Sequence, residues 1–318
     1  MPPEKSPPAT AAQPFEAAAL SPGEDVFGAG LRVLLAPCAF EKAHLTLAAV
    51  RAYQEKRLHL PSPLPLPREE VDSRLPAMPA RPPHPSSSST SNPSNSSQKL
   101  PKKGVAVSIH GIAHAESWAI DLMWDLMLRF AYDSHAAEAS FWDDFLEIAK
   151  QEAEHFLSWA IRLEEGYGLR YGCLSGTDTL WASAEASKDD VMARLSLINL
   201  VQEARGLDTS ELTLRRLLRA GDEASADTLR KNAKEEEGHV AAGIKWFGFL
   251  KDARHLEGSP ESVFHAYVKD RHKGVILPPF NDEARRRAGM RDEWYLPLVT
   301  PKKEGGREVA CEEMKQTT

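Results

Sequence analysis

The sequence predicts an all-α protein organised around four long amphipathic helices. Apolar residues recur at alternating steps of three and four through residues 112–132, 141–163, 189–205 and 222–250. Proline is absent from these stretches and gathers outside them. Two copies of Glu-x-x-His, Glu152–His155 and Glu236–His239, each lie within one of the apolar stripes. Residues at i and i+3 share a helix face, so each copy aims a carboxylate and an imidazole at one point.

Composition sets the frame. The chain of 318 residues is 42% hydrophobic and 27% charged, enough for one large domain or two modest ones. Its net charge of -7 argues against a general nucleic-acid binder, although Arg215, Arg216 and Arg219 and the run Arg285–Arg287 leave local basic faces. Three cysteines, Cys38, Cys173 and Cys311, are far apart and form no C-x-x-C pair. That excludes a disulfide framework and a thiolate zinc site and predicts a reducing, cytoplasmic location. No secretory signal is read at the N-terminus, and no apolar run is long enough to span a membrane.

Taken in order, residues 1–22 are rich in Pro and Ala and are expected to be disordered. Residues 23–60 form a helical preface packing on the bundle. It holds a third Glu-x-x-His, Glu41–His44, which has no partner glutamate helix and serves as the control for chance matches. Residues 61–103 are a Pro/Ser-rich linker. The bundle covers residues 104–256. Its first helix carries the stripe Glu116, Ile120, Met123, Met127 and Phe130. A glutamate in such a stripe is informative, because buried carboxylates are rare unless paired or bound to metal. The second helix carries Phe145, Ile148, Glu152, His155 and Trp159 and is expected to stop at Gly166 and Gly168. A connection with a short helix near residues 179–186 is long enough to cross between two helix hairpins.

The third helix starts at Asp189 or Asp190, carries Met192, Leu195, Asn199 and Glu203, and is expected to stop at Gly206. A short basic helix over 209–220 follows. The fourth helix carries Leu229, Asn232, Glu236, His239, Gly243 and Trp246. Residues 257–298 form a C-terminal extension and 299–318 a disordered tail. Trp124, Trp159, Trp181 and Trp246 are read as core residues that can also support a pocket.

Glu116, Glu152, His155, Glu203, Glu236 and His239 follow the order Glu, Glu-x-x-His, Glu, Glu-x-x-His, the ligand pattern of a carboxylate-bridged dinuclear metal centre in a four-helix bundle. Each metal receives one histidine and one terminal glutamate, Glu116 or Glu203, while Glu152 and Glu236 bridge. Oxygen and imidazole donors suit two iron ions, with manganese as the alternative. Gln151 and Glu235 precede the two motif glutamates, and each is expected to reach the histidine of the opposite pair and orient it. His110 and His114 share a face and are read as supporting or surface residues. The competing reading is an interhelical ion-pair network that takes up no metal.

The segments HAESWAIDLMWDLMLRFAYD, EAEHFLSWAIRLEEGYGLRYG, LVQEARGLD, AGDEASADTL, EEEGHVAAGIKWF and LPPFNDEARRRAGM, together with WYLPL, resemble the ferritin-like family catalogued as domain of unknown function 455. The resemblance implies a ferritin-like four-helix bundle with a crossover connection and short accessory helices. It also implies a carboxylate di-metal site at the same six positions. One departure is Glu235, where the family more often has Asp. The wider superfamily includes oxygenases, ferroxidases, a tRNA-modifying hydroxylase and rubrerythrin-like peroxidases, and fold alone does not choose among them. The expectation is a di-iron oxidoreductase using dioxygen on a small organic substrate, as a monomer or small homo-oligomer, with its catalytic residue and electron donor unassigned. A hydroxylase of a tRNA base and a non-enzymatic iron-binding or structural bundle are the alternatives.

Overall fold

The computed structural model describes residues 23–81 and 103–300, and the backbone of two three-residue strands beyond them. Their regular structure is helical apart from β1 (Lys302–Glu304) and β2 (Arg307–Val309), which pair antiparallel with Lys303 opposite Glu308. The disorder expected of 299–318 therefore fails for this hairpin. The expected disorder of 1–22 lies outside the described residues. The chain divides into two compact units, one running to Trp181 and including Arg216–Thr228, the other comprising Ala182–Arg215 and the chain from Leu229 on.

The first unit is built on α4 (Lys103–Arg129) and α5 (Ala139–Tyr167), which pack along each other. The preface forms α1 (Val26–Leu35), which packs on α4, and α2 (Ala39–Gln54), which packs on both. Asp25 caps α1 by accepting from the Gly28 N–H at 2.8 Å. The Trp124 indole of α4 donates to the Thr46 hydroxyl of α2 at 2.9 Å, which satisfies a buried polar atom on each. α5 runs through Gly166 and stops at Gly168, whose φ of +64° is the left-handed conformation glycine adopts without a Cβ penalty. Gly166 is thus a helix residue, correcting the expected stop.

The linker expectation also needs correction at its start. Residues 68–74 form α3 (Arg68–Arg74), with Val71 buried. The Leu66 N–H donates to the Ala131 carbonyl at 2.9 Å and the Ala80 N–H to the Leu34 carbonyl at 2.8 Å. Proline removes helix donors, but it does not prevent a segment from docking by its remaining N–H groups. The serine tract of the linker lies outside the described residues.

In the second unit, α7 (Val191–Arg194) is capped by Asp190, which accepts from the Met192 N–H at 2.9 Å. The chain then widens into a π-helix over Leu195–Gln202 and returns to α8 (Glu203–Arg219). The predicted stop at Gly206 and the separate basic helix are therefore wrong; helical backbone is continuous from 191 to 219. A glycine costs a helix about 1 kcal/mol, which the flanking helix formers and buried Leu207 outweigh. The connection before it holds α6 (Thr179–Glu185), as expected.

α9 (Glu223–Ala253) is the fourth long helix. It passes close to the π segment at Gly243, where an added Cβ would come within 2.9 Å of Asn199 Cβ. α10 (Pro260–Arg271), α11 (Asp282–Arg287) and α12 (Asp292–Tyr295) complete the unit. Buried Asp208 holds this extension. It accepts from Arg285 Nε at 2.8 Å and Nη2 at 2.6 Å, and from the Asn281 N–H at 3.0 Å. No described helix is long and apolar enough to cross a membrane.

Candidate metal centre

Each unit holds one half of the predicted ligand set. In the first, Glu116 comes from the middle of α4 and Glu152 and His155 from the middle of α5. The three each offer a ligand atom, and those atoms lie within 4.8 Å of one another. His155 Nδ1 is 3.7 Å from Glu152 Oε2 and 4.0 Å from Glu116 Oε2. Glu152 and His155 are each 1% exposed, although glutamate is among the residues least often buried. Phe145, Ile148, Phe156 and Trp159 of the same helix are buried around them.

In the second unit, Glu203 opens α8 at the end of the π-helix, and Glu236 and His239 come from α9. Their ligand atoms again lie within 4.8 Å of one another. His239 Nδ1 is 3.3 Å from Glu236 Oε2, and His239 is 1% exposed. A π-helix is rare and is often found at functional sites, because the extra residue in its turn re-aims the side chains that follow. Here it ends at Gln202, directly before Glu203.

The donor chemistry fits a metal ion. The carboxylate–imidazole separations of 3.3, 3.7 and 4.0 Å exceed an ordinary hydrogen bond. Two ligand atoms about 2.1 Å from a common ion are roughly 3 to 3.5 Å apart, so small adjustments would close either triad on a metal. The control copy behaves differently. Among the described residues, neither Glu41 nor His44 belongs to a group able to hold a metal, and burial lowers the pKa of His44.

The expected supporting residues have bonds along their own helices. The Gln151 amide donates to Glu147 at 3.3 Å, and Glu235 Oε1 is 3.8 Å from Lys231 Nζ. His110 is buried rather than on the surface. Its Nε2 accepts from the Gly172 N–H at 3.1 Å, and its ring stacks on Tyr171. Burial, with a smaller push from His114, lowers its pKa to about 4. His114 Nδ1 lies 3.1 Å from the Tyr171 hydroxyl and its Nε2 3.0 Å from the Thr177 carbonyl. Arg215, Arg216 and Arg219 are exposed, and Arg215 pairs with Glu211. Trp124, Trp159, Trp181 and Trp246 are all buried core residues.

A second buried charge cluster escaped the sequence reading. Asp121 of α4 is 0% exposed and takes two cations, Lys42 Nζ at 2.7 Å and Arg81 Nη2 at 2.5 Å. Lys42, itself fully buried, also donates to the Val33 and Leu34 carbonyls. Burial lowers the Lys42 pKa and raises that of Asp121, and the ion pairs oppose both shifts. The signal was available, since Asp121 interrupts an apolar run just as Glu116 does.

A helical protein with two largely buried Glu, Glu-x-x-His triads is the class that fold and site define. The chain belongs to the family described as "Protein of unknown function (DUF455)", whose model matches residues 35–296. A protein of Haemophilus influenzae, itself described as uncharacterised, is 32% identical over 194 residues, 59% of this chain. The chain covers 66% of that relative's length. No solved structure gives a significant match.

Proposed function

We propose that the protein is a ferritin-like di-iron oxidoreductase, with Glu116, Glu152 and His155 as the ligands of one ion and Glu203, Glu236 and His239 as those of the other. The observation that carries this reading is the duplication. The same three residues, Glu, Glu and His in that chain order, converge once in each unit. The bringing together of two such half-sets as one centre in a four-helix bundle rests on the order of ligands along the chain.

Four carboxylates neutralise two divalent ions, and the imidazoles complete each set without adding charge. When bound, a pair of ferrous ions supplies the electrons that reduce dioxygen, the chemistry used to oxidise or hydroxylate an organic substrate. The protein's own part is to hold the donors and keep water away. Buried Phe156 and Trp159 flank His155 along α5, and the buried helix positions fix the directions of Glu152 and His155. Manganese is the alternative metal, and the substrate is a small molecule rather than nucleic acid.

Anaerobic loading with ferrous iron, desalting and metal analysis test this reading. The parent is expected to retain about two irons per chain, one per triad, and a Glu152→Ala, Glu236→Ala variant to lose most of them. Equal iron in both proteins, or none in the parent, would overturn the assignment. It would leave a helical protein whose polar core is an ion-pair network. Admission of oxygen to the loaded parent should then consume dioxygen, and the double variant should not.

A further inference from the structure

The second unit contains a cavity of about 170 Å³ between the π-helix and the C-terminal extension. Its walls are largely apolar, with Leu200, Phe264, Ile276 and Met290 among them. An apolar cavity of about 150 Å³ is known to hold one benzene ring, so this one suits a body of that size. It is not a purely apolar hole, however. Arg205, Asp208, His272, Arg285 and Tyr295 also line it.

The polar groups do not count equally. Arg285 is committed to Asp208 by two short hydrogen bonds, and their charges cancel. The Tyr295 hydroxyl donates to Asp282 at 2.6 Å and stays protonated, its pKa pushed up by burial and by that carboxylate. Burial lowers the His272 pKa and so favours the neutral ring. Arg205 remains. Its Nη1 donates to the Leu277 and Pro279 carbonyls at 3.0 and 3.2 Å and lies 3.5 Å from Asp208. These contacts hold the guanidinium at the cavity and leave Nε and Nη2 as the donors available to a ligand. The lining therefore carries one net positive charge in a chain whose overall charge is -7. An apolar body next to an anchored, only half-shielded guanidinium is the recognition chemistry of a small organic acid.

We propose that this cavity binds a small carboxylic acid whose apolar body is about one aromatic ring in size, with its carboxylate on Arg205. The site needs no metal, so it stands whether or not the six glutamates and histidines bind iron. Gln202 lines the cavity and the next residue is Glu203, so a ligand here occupies the same helix that offers a metal ligand.

The test is isothermal titration calorimetry on the full chain with phenylacetate, and with 2-phenylethanol as a neutral counterpart of similar shape. Phenylacetate should bind saturably and roughly tenfold more tightly than the alcohol, the discrimination a charge-assisted hydrogen bond supplies. Arg205→Gln, at a half-exposed position, should erase that preference and leave alcohol binding unchanged. Ile276→Trp, which fills the cavity, should weaken both ligands. Circular dichroism of each variant confirms its fold. No saturable binding of phenylacetate, equal affinity for both compounds, or a preference that survives Arg205→Gln would each overturn the proposal. The same titration of the Glu152→Ala, Glu236→Ala variant separates the two readings. Loss of iron from that variant with phenylacetate binding intact supports both, and loss of iron with phenylacetate binding absent from parent and variant alike removes this one alone.

Discussion

Two clusters of buried carboxylate lie on α4 little more than one helical turn apart, and they handle charge differently. Asp121 accepts a hydrogen bond from Lys42 at 2.7 Å and forms an ion pair with Arg81 at 2.5 Å. Arg81 is fixed further by bonds to Ser117 and by its guanidinium lying 3.6 Å over the Trp118 ring. Glu116 instead meets Glu152 and His155, two more metal-ligand residues, with ligand atoms within 4.8 Å of one another and its Oε2 4.0 Å from His155 Nδ1. The first cluster is complete in cations drawn from the chain and ties the preface and residue 81 to α4. The second brings like-charged groups together, an arrangement that becomes favourable when a cation arrives from outside. A buried carboxylate is therefore not by itself a sign of metal; what converges on it decides.

The largest expected effect breaks the comparison at the metal side. Ferrous iron at a hundredfold excess over its dissociation constant should stabilise the parent by about 2.7 kcal/mol per site, read as a raised Tm in an anaerobic melt. Glu152→Ala should remove its own triad's share of that rise and about half of the retained iron. An unchanged metal-dependent rise would mean that the triad is another ion-pair cluster.

The second effect breaks it at the other side. Asp121→Ala leaves Lys42 and Arg81 with their counter-charge removed, and urea unfolding should show a loss of roughly 3–5 kcal/mol. Iron stoichiometry in the folded fraction should not change. A variant that keeps its stability but loses iron would show that the two clusters are one system.

His110 sharpens the comparison with a third solution, a buried group that avoids charge altogether. Its folded pKa of about 4 lies below the unfolded value of 6.5, so protonation favours the unfolded chain. Its contribution is complete above pH 6.5 and is lost as pH falls towards 4, at most roughly 3 kcal/mol. Unfolding of His110→Gln across that window should be flatter than that of the parent; parallel curves would assign the acid sensitivity to other groups.

The smallest effect sets the scale for a carboxylate near the surface. Asp190→Ala removes the cap on Met192 and the 2.9 Å pair with Arg254, and should cost about 1 kcal/mol in urea unfolding, with no change in iron. A cost as large as that of Asp121→Ala would show that burial is not what separates these groups.

The long helices were legible because their apolar residues repeat with the helix period, and periodicity survives without knowledge of neighbours. Boundaries governed by a single local rule were read well at Asp190 and Gly168. They were misread at Gly206 and Gly166, where packing outweighs the modest cost of glycine in a helix. The π-helix over Leu195–Gln202 left no sequence signal, since its inserted turn depends on what packs against it, including Gly243. The docking of 66–81 was hidden by its prolines, which mark the absence of regular structure but not of tertiary bonds.

The sequence by itself determined the helical class, the stripes and the six ligand-type residues, because each is a pattern of chemistry along one element. Tertiary structure decided which charges were neutralised within the chain. Lys42 reaches Asp121 across 79 positions and Arg285 reaches Asp208 across 77, pairings that no local spacing encodes. It also decided that Arg205 stands at a cavity, because a cavity exists only where separate elements fail to fill the space between them.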